Sequence, residues 1–429
     1  MPTSSGRTAA KATKVAAAVA AAASIGGMIL SHQAPAGADP RAVLVGVGSD
    51  TTQDVIGGLA GVGINPTIPV IGGVRVLASF DAAIVTGGVI QKGTCITPKP
   101  GAPTFDRPNG STNGRKALSR SIDSTPFTVT GSTCPTPGGS LLGGVVDFAR
   151  SSAGPASGSG AGPLMYIPFG RDALSFAYAA PALPNDPATS LPRNPVTTLT
   201  STQLNSLFTS NTGTSTIVQN AQGLDVEIVP CSIQTGSGTY SAWNADLGAL
   251  TATQMANATS LCRTGGITPP AAPGELQEND GNGLRTRADN FPGKQVIIGF
   301  SAANFVAQSN GVAVSQLTLG GVDLGAIDAL GKPYTGTGSA LSPSTSFYSN
   351  TTYGRTVYDV VQGSKITGPG NNDLKLMFAQ TALGTPALCT GSAQTTVNSF
   401  GFLSIPGTGA GTCGDTSLTG PSISGNGSL

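Results

Sequence analysis

Short apolar runs recur along this chain, and most of them end in glycine or serine before a polar stretch with helical spacing. Arg41–Ser49 (RAVLVGVGS) is continuous enough to read as a buried strand. It closes on glycine, and Asp50–Ala60 then carries the acidic first turn and apolar spacing of a helix, with Asp50 or Thr51 as its cap. The same alternation returns several times. Val74–Phe80, Leu142–Ser152, Leu164–Phe169, Ser175–Ala179, Val226–Pro230, Lys294–Ser301 and Tyr353–Val361 read as strands. Thr200–Phe208, Gln234–Trp243, Ala302–Gln308 and Asn372–Gln380 read as helices or turns opening helices. Strands alternating with helices predict an α/β protein.

One stretch organises the rest. Arg107–Leu118 (RPNGSTNGRKAL) is a turn that becomes a helix, with Pro108, Asn109 and Gly110 as punctuation and Ser111 as the expected helix cap. A helix start leaves backbone N–H groups unpaired and carries positive partial charge, so a serine there is placed to meet an oxyanion. Three further junctions resemble it: Gly48–Thr51, Arg150–Ser152 and Gly236–Thr239. Each sets small hydroxyl side chains beside exposed backbone donors, a combination that suits a tetrahedral oxyanion.

Residues 1–38 read as a targeting segment. Arg7, Lys11 and Lys14 precede an apolar run from Val15 to Leu30, and Ala36-Gly-Ala38 is a small-residue cleavage site. Removing them from the 429 residues leaves 391, with 19 basic and 21 acidic side chains. That balance gives no electrostatic footprint for nucleic acid. The single histidine, His32, falls inside the targeting segment. Histidine-based nucleophilic catalysis and histidine-ligated metal sites are therefore excluded from the mature chain. Six cysteines, Cys95, Cys134, Cys231, Cys262, Cys389 and Cys413, predict disulfides in an exported protein. Spacing does not determine their connectivity, and the simplest assignment is sequential. Residues 153–163 read as a flexible linker, and the glycine-rich tail as disordered beyond Cys413. Glu278-x-Asp280-x-Asn282-Gly283 loosely mimics a calcium loop, but Arg285 and Arg287 sit inside it and a capped polar turn is the simpler reading. Trp243 reads as a core residue at the start of a helix.

In this order the junctions resemble the phosphate-binding proteins of high-affinity phosphate ABC importers, within the type II periplasmic-binding fold. The resemblance runs from about residue 42 to about 310, and more loosely to about 362. It rests on Leu44–Thr51, Asn109–Gly114, Val146–Ala153, Tyr166–Phe169, Leu199–Phe208, Gly236–Thr239, and Asn279–Gly283 before Gln295–Phe300. It implies two α/β lobes with a ligand cleft between them, residues 39–163 and 302–429 forming one and 164–301 the other. Asp50, Thr51, Ser111 and Ser152 would face the cleft from the first lobe, and Ser237, Gly238 and Thr239 from the second. This chain departs from the family pattern at three places. Ile233 stands where the family has an arginine four residues before the Ser-Gly-Thr serine. Ser152 stands where the family has an aspartate that accepts the ligand's proton, and Asp50 where it has a threonine. Arg150, two residues from Ser152, is expected to restore the charge. The implied protein is a secreted, extracellular monomer, associated with the cell surface. It binds phosphate or a similar oxyanion, works with an ABC permease, uses no cofactor and catalyses no reaction. The alternative is a secreted surface or matrix protein that keeps the fold without tight ligand binding.

Overall fold

The computed structural model describes residues 42–62, 75–86, 89–91, 93–130, 134, 139–181, 183–209, 216–251, 253–254, 262, 275–425 and 427–428. The expected targeting segment lies outside these residues. The central sheet is built from β1 (Ala42–Gly48), β2 (Arg75–Ser79), β3 (Phe148–Ser151), β4 (Leu164–Ala179), β5 (Thr216–Gln219), β6 (Asp225–Pro230), β7 (Gln295–Ser301), β8 (Val322–Leu324), β9 (Gly354–Gln362) and β10 (Thr419–Gly420). Helices α1 (Gln53–Gly57), α2 (Ser111–Asp123), α3 (Ser201–Thr209), α4 (Gly238–Asp246), α5 (Gly281–Asp289) and α6 (Ala302–Ser309) pack around it. Among the described residues, no helix is long and apolar enough to cross a membrane.

The strand order is β5-β6-β7-β4-β9-β3-β1-β2, with β8 and β10 also pairing with β4. The sheet is mixed. β1 runs parallel to both β2 and β3, and β6 is parallel to β7, while β4 pairs antiparallel with both β7 and β9. Two strands expected as separate, 164–169 and 175–179, are one continuous strand of 16 residues. Its register slips once against β9, between Pro168 and Gly170, because proline has no N–H to give the ladder. The first part of β4 pairs with β9 and its last six residues pair with β7, so the strand runs through both halves of the molecule.

Two-residue periodicity fills a core on each face of the first half. Leu44, Met165, Ile167, Phe169, Val357 and Val361 point to one face, where they meet Phe148 and Phe378. Val45, Val47, Leu164, Tyr166 and Val360 point to the other, against Ala117 and Leu118 of α2. The second half has its own core around Phe176, Ile228, Trp243, Ile298 and Phe300. The fold is therefore α/β and two-lobed, as the resemblance implies. Leu324, Ile327, Phe347, Tyr348 and Tyr353 also belong to the second core.

All three disulfides are sequential, Cys95–Cys134, Cys231–Cys262 and Cys389–Cys413, with Cα atoms 5.6, 5.2 and 5.6 Å apart. The glycine-rich tail differs from expectation. Instead of trailing free beyond Cys413, it pairs Thr419–Gly420 with the start of β4, and Ser119 Oγ accepts the Ile423 N–H at 3.0 Å. Its last pairing sets Gly427–Ser428 beside Val129–Thr130. Few bulky side chains are needed for this, because the pairing uses backbone groups that an edge leaves open.

Candidate functional site

β1 and β3 are parallel neighbours, so their C-terminal ends, Gly48 and Ser151, open onto the same edge of the sheet. In open α/β sheets this edge is where ligands are held. The loops after these strands deliver Ser49–Thr52 and Ser152, and the turn before α2 delivers Asn109 and Gly110, with Ser111 opening the helix. From the second half, the segment between β6 and α4 delivers Gln234–Ser237, the first turn of α4 delivers Gly238 and Thr239, and the turn before α5 delivers Gln277–Asn279.

Ser111 is not the cap of its helix. It is the first helical residue, and Gly110 holds the cap position at φ 91° without a side-chain hydrogen bond. Glycine is required there because a methyl group would clash with the Gly236 carbonyl of the facing loop, and because positive φ strains other residues. The Ser111 hydroxyl is thereby released from capping. It lies 3.2 Å from Ser152 Oγ and accepts the Ser152 N–H at 3.0 Å. Both hydroxyls press on Gly238, where an added methyl group would clash with each of them. Thr51 Oγ1 and Thr239 Oγ1, from opposite halves, are 3.1 Å apart. Thr51, Ser111, Ser152, Gly238 and Thr239 thus form one buried contact between the halves.

Three expected site residues stand differently. The Ser237 hydroxyl caps α4, accepting the Tyr240 N–H at 3.1 Å. Asp50 does not cap α1 with its side chain, since the N-cap position is Thr52. Its carboxylate accepts from Gln277 Nε2 at 2.8 Å and Asn279 Nδ2 at 2.7 Å, both from the second half. Arg150 is fully buried beneath the loop it was expected to serve. It donates to the carbonyls of Ser49 (3.1 Å) and Gly48 (2.9 Å) and to Ser79 Oγ (2.8 Å), so it fastens the loop after β1. An extended segment alternates its faces, but the surrounding sheet decides which face meets the site. Here the Arg150 side lies under the neighbouring strand ends. Ile233, expected at the position of the family's arginine, is a core residue whose backbone pairs with Leu276.

Several site residues were not anticipated. Glu278 is buried, and its Oε2 accepts from Thr51 Oγ1 at 3.2 Å. Asn109 Nδ2 donates to Gln277 Oε1 at 3.0 Å, and Asn304 Nδ2 to the Thr51 carbonyl at 2.7 Å. Arg355, on β9, donates through Nε and Nη2 to Asp172 Oδ2 at 3.0 and 2.7 Å. The same Nη2 reaches Thr239 Oγ1 at 2.9 Å. Asp172 and Arg355 did carry a signal, as charged residues inside otherwise apolar strands. Glu278 lay in the calcium-loop mimic. Asp280 of that motif instead caps α5 by accepting the Gly283 N–H at 2.8 Å, and Arg285 pairs with Asp289. Among the described residues, no group of three or more histidine, cysteine, aspartate or glutamate side chains is placed to hold a metal.

The electrostatics are acid-rich. Burial raises the Asp50 carboxyl well above the ordinary range, and the neighbouring Glu278 carboxylate raises it further. The hydrogen bonds from Gln277 and Asn279 act the other way. Burial lifts Asp246 on α4 to about 7, against the pull of Arg355. Arg355 reaches the hydroxyl cluster directly, through Thr239 Oγ1.

No protein-family model matches this chain, and no curated protein does. Among solved structures it is similar to an ABC-type phosphate transport receptor from Vibrio cholerae, at 15% identity and a TM-score of 0.43. That match covers 84% of this chain and 99% of the other. It is also similar to a phosphate-binding protein from Stenotrophomonas maltophilia, at 13% identity and a TM-score of 0.40, covering 85% and 91%. A third match is PstS from Borrelia burgdorferi, at 13% identity and a TM-score of 0.37, covering 85% and 98%.

Proposed function

We propose that this chain is an exported solute-binding protein whose two lobes close on a small oxyanion, phosphate first. It would act outside the cell as a monomer and hand its ligand to an ABC permease without altering it. The observation that carries this reading is the meeting of Ser111 and Ser152 with the Gly238 end of α4, beside the Thr51–Thr239 contact. Hydroxyl and backbone donors from both lobes converge on one buried spot, and a helix N-terminus adds favourable potential for an anion. Parting the loops would turn these groups toward a ligand, and closing them would exclude water from it.

A second reading draws on a different observation. Several facing groups already bond one another, Asp50 with Gln277 and Asn279 and Thr51 with Glu278, and two carboxyl groups, Asp50 and Glu278, stand among them. Both features suit a secreted surface or matrix protein that kept the fold and lost tight binding. Calorimetric titration of the secreted chain with phosphate, sulfate and simple sugars separates the two. Micromolar or tighter phosphate binding, weakened at least about tenfold by Ser111→Ala or Thr239→Ala, is the expected result. Absence of heat with every anion would sink the oxyanion reading. Unchanged affinity in both variants would sink the site.

A further inference from the structure

We propose that Arg355 is the residue that supplies positive charge to the bound oxyanion, replacing the arginine absent at position 233; this rests on the oxyanion-binding reading above. Position 233 cannot serve, because Ile233 is packed in the second core. The arginines near the first-lobe loops are committed elsewhere. Arg150 is spent on the Gly48 and Ser49 carbonyls and Ser79. Arg115 donates to the Ser111 and Gly154 carbonyls and to Tyr166 Oη. Arg107 donates to Thr94 Oγ1 and the Asp81 carbonyl.

Arg355 is different in three respects. Its Nη2 already touches Thr239 Oγ1, the hydroxyl that meets Thr51 from the other lobe. Its side chain is only 9% exposed, yet Nη1 has no hydrogen-bond partner among the described residues. A buried guanidinium N–H without an acceptor is uncommon, and an oxyanion oxygen would complete it. The guanidinium is also pre-aimed. Asp172 stands opposite it in register on β4 and holds Nε and Nη2, while Asp172 Oδ1 accepts from Ser301 Oγ and the Ala303 N–H, each at 3.0 Å. Both strands lie in the middle of the sheet. The cation is thus fixed by the part of the fold common to the two lobes, and Thr239, which it touches, meets Thr51 of the other half.

The test is phosphate titration of the secreted chain beside two variants, Arg355→Lys and the paired Asp172→Asn/Arg355→Gln. The paired change removes both buried charges together, so neither is left unpaired, and thermal melting of each variant reports folding. We expect the paired variant to bind phosphate at least about tenfold more weakly, with Arg355→Lys between it and the unaltered chain. In protein labelled with 15N-arginine, saturating phosphate should also shift the Arg355 side-chain resonance, assigned by its loss in Arg355→Lys. A folded paired variant that binds within threefold of the unaltered chain, or an Arg355 resonance unmoved by phosphate, overturns this assignment alone. No binding of any oxyanion by the unaltered chain overturns the function and this assignment together.

Discussion

Gly238 has two hydroxyls where a side chain would stand. The Ser-Gly-Thr order reads in the sequence as turn chemistry, and nothing local says why the middle position must be glycine. The reason is the distant pair Ser111 and Ser152, which occupy the space a methyl group would need. Gly238→Ala should therefore force the facing loops apart at a cost of roughly 1–3 kcal/mol, the usual range for overpacking. Thermal melting should show a lowered Tm, and phosphate affinity should fall with it. A variant that melts and binds as the unaltered chain does would mean that the loops yield freely at this contact. The same lesson holds for Ser111. Its type and neighbourhood predicted a polar role, but the cap position went to Gly110, and only then was the hydroxyl free to meet Ser152.

Elements were more legible than contacts. β1, β2, β6, β7, β9 and helices α3 and α6 fall close to where the apolar patterns put them, because their periodicity reflects a buried face. β4 reads in the sequence as two pieces. Gly170, Arg171 and Asp172 look like a break, whereas the tertiary structure keeps them in the strand and gives Asp172 an ion pair. The tail departs from its composition for a related reason. Composition reports how much apolar surface a segment can bury, but it is silent on backbone pairing. The segment from Leu418 supplies an acceptor for the Tyr166 N–H at 2.9 Å, and Leu418 and Ile423 pack on the core beside α2. Truncating the chain after Ser417, which retains every cysteine, should lower stability in urea by roughly 2–4 kcal/mol, from about 1 kcal/mol per lost hydrogen bond or half-buried side chain. An unchanged unfolding midpoint would mean that the tail adds nothing to the fold.

At the scale of the whole molecule, buried carboxyls govern the pH response. Asp359 on β9 is fully buried opposite Arg150, and neither of its oxygens has a hydrogen-bond partner among the described residues. Burial lifts it from 3.8 to about 8, against the pull of Arg150. Asp50 is raised as well, by burial first and then by Glu278. A carboxyl whose folded value lies above its unfolded one binds more protons when folded. Its favourable contribution is complete below the unfolded value and is lost as pH rises through the window toward the folded one. Stability should therefore decline from about pH 4 to about pH 8, by at most about 1.4 kcal/mol per pH unit for each such group. Asp359→Asn should flatten that slope in denaturant titrations at several pH values. A slope identical to that of the unaltered chain would show that Asp359 does not carry it.

The sequence by itself determined what depends on local order. Strands and helices follow from periodicity, the loop chemistry from serine, threonine and glycine at strand ends, and exclusion of histidine chemistry from composition. It also contained the simplest disulfide pairing, although spacing alone left others open. The tertiary structure decided what depends on partners far apart in the chain. Asp50 meets residues more than two hundred positions away, and Arg355 reaches Thr239 across 116. Which charged residue reaches the hydroxyl contact is a question of which face of a strand meets which edge of the sheet. Arg150 and Arg355 are both arginines in apolar strands, and only their register in the assembled sheet sends one beneath a loop and the other to the contact between the lobes.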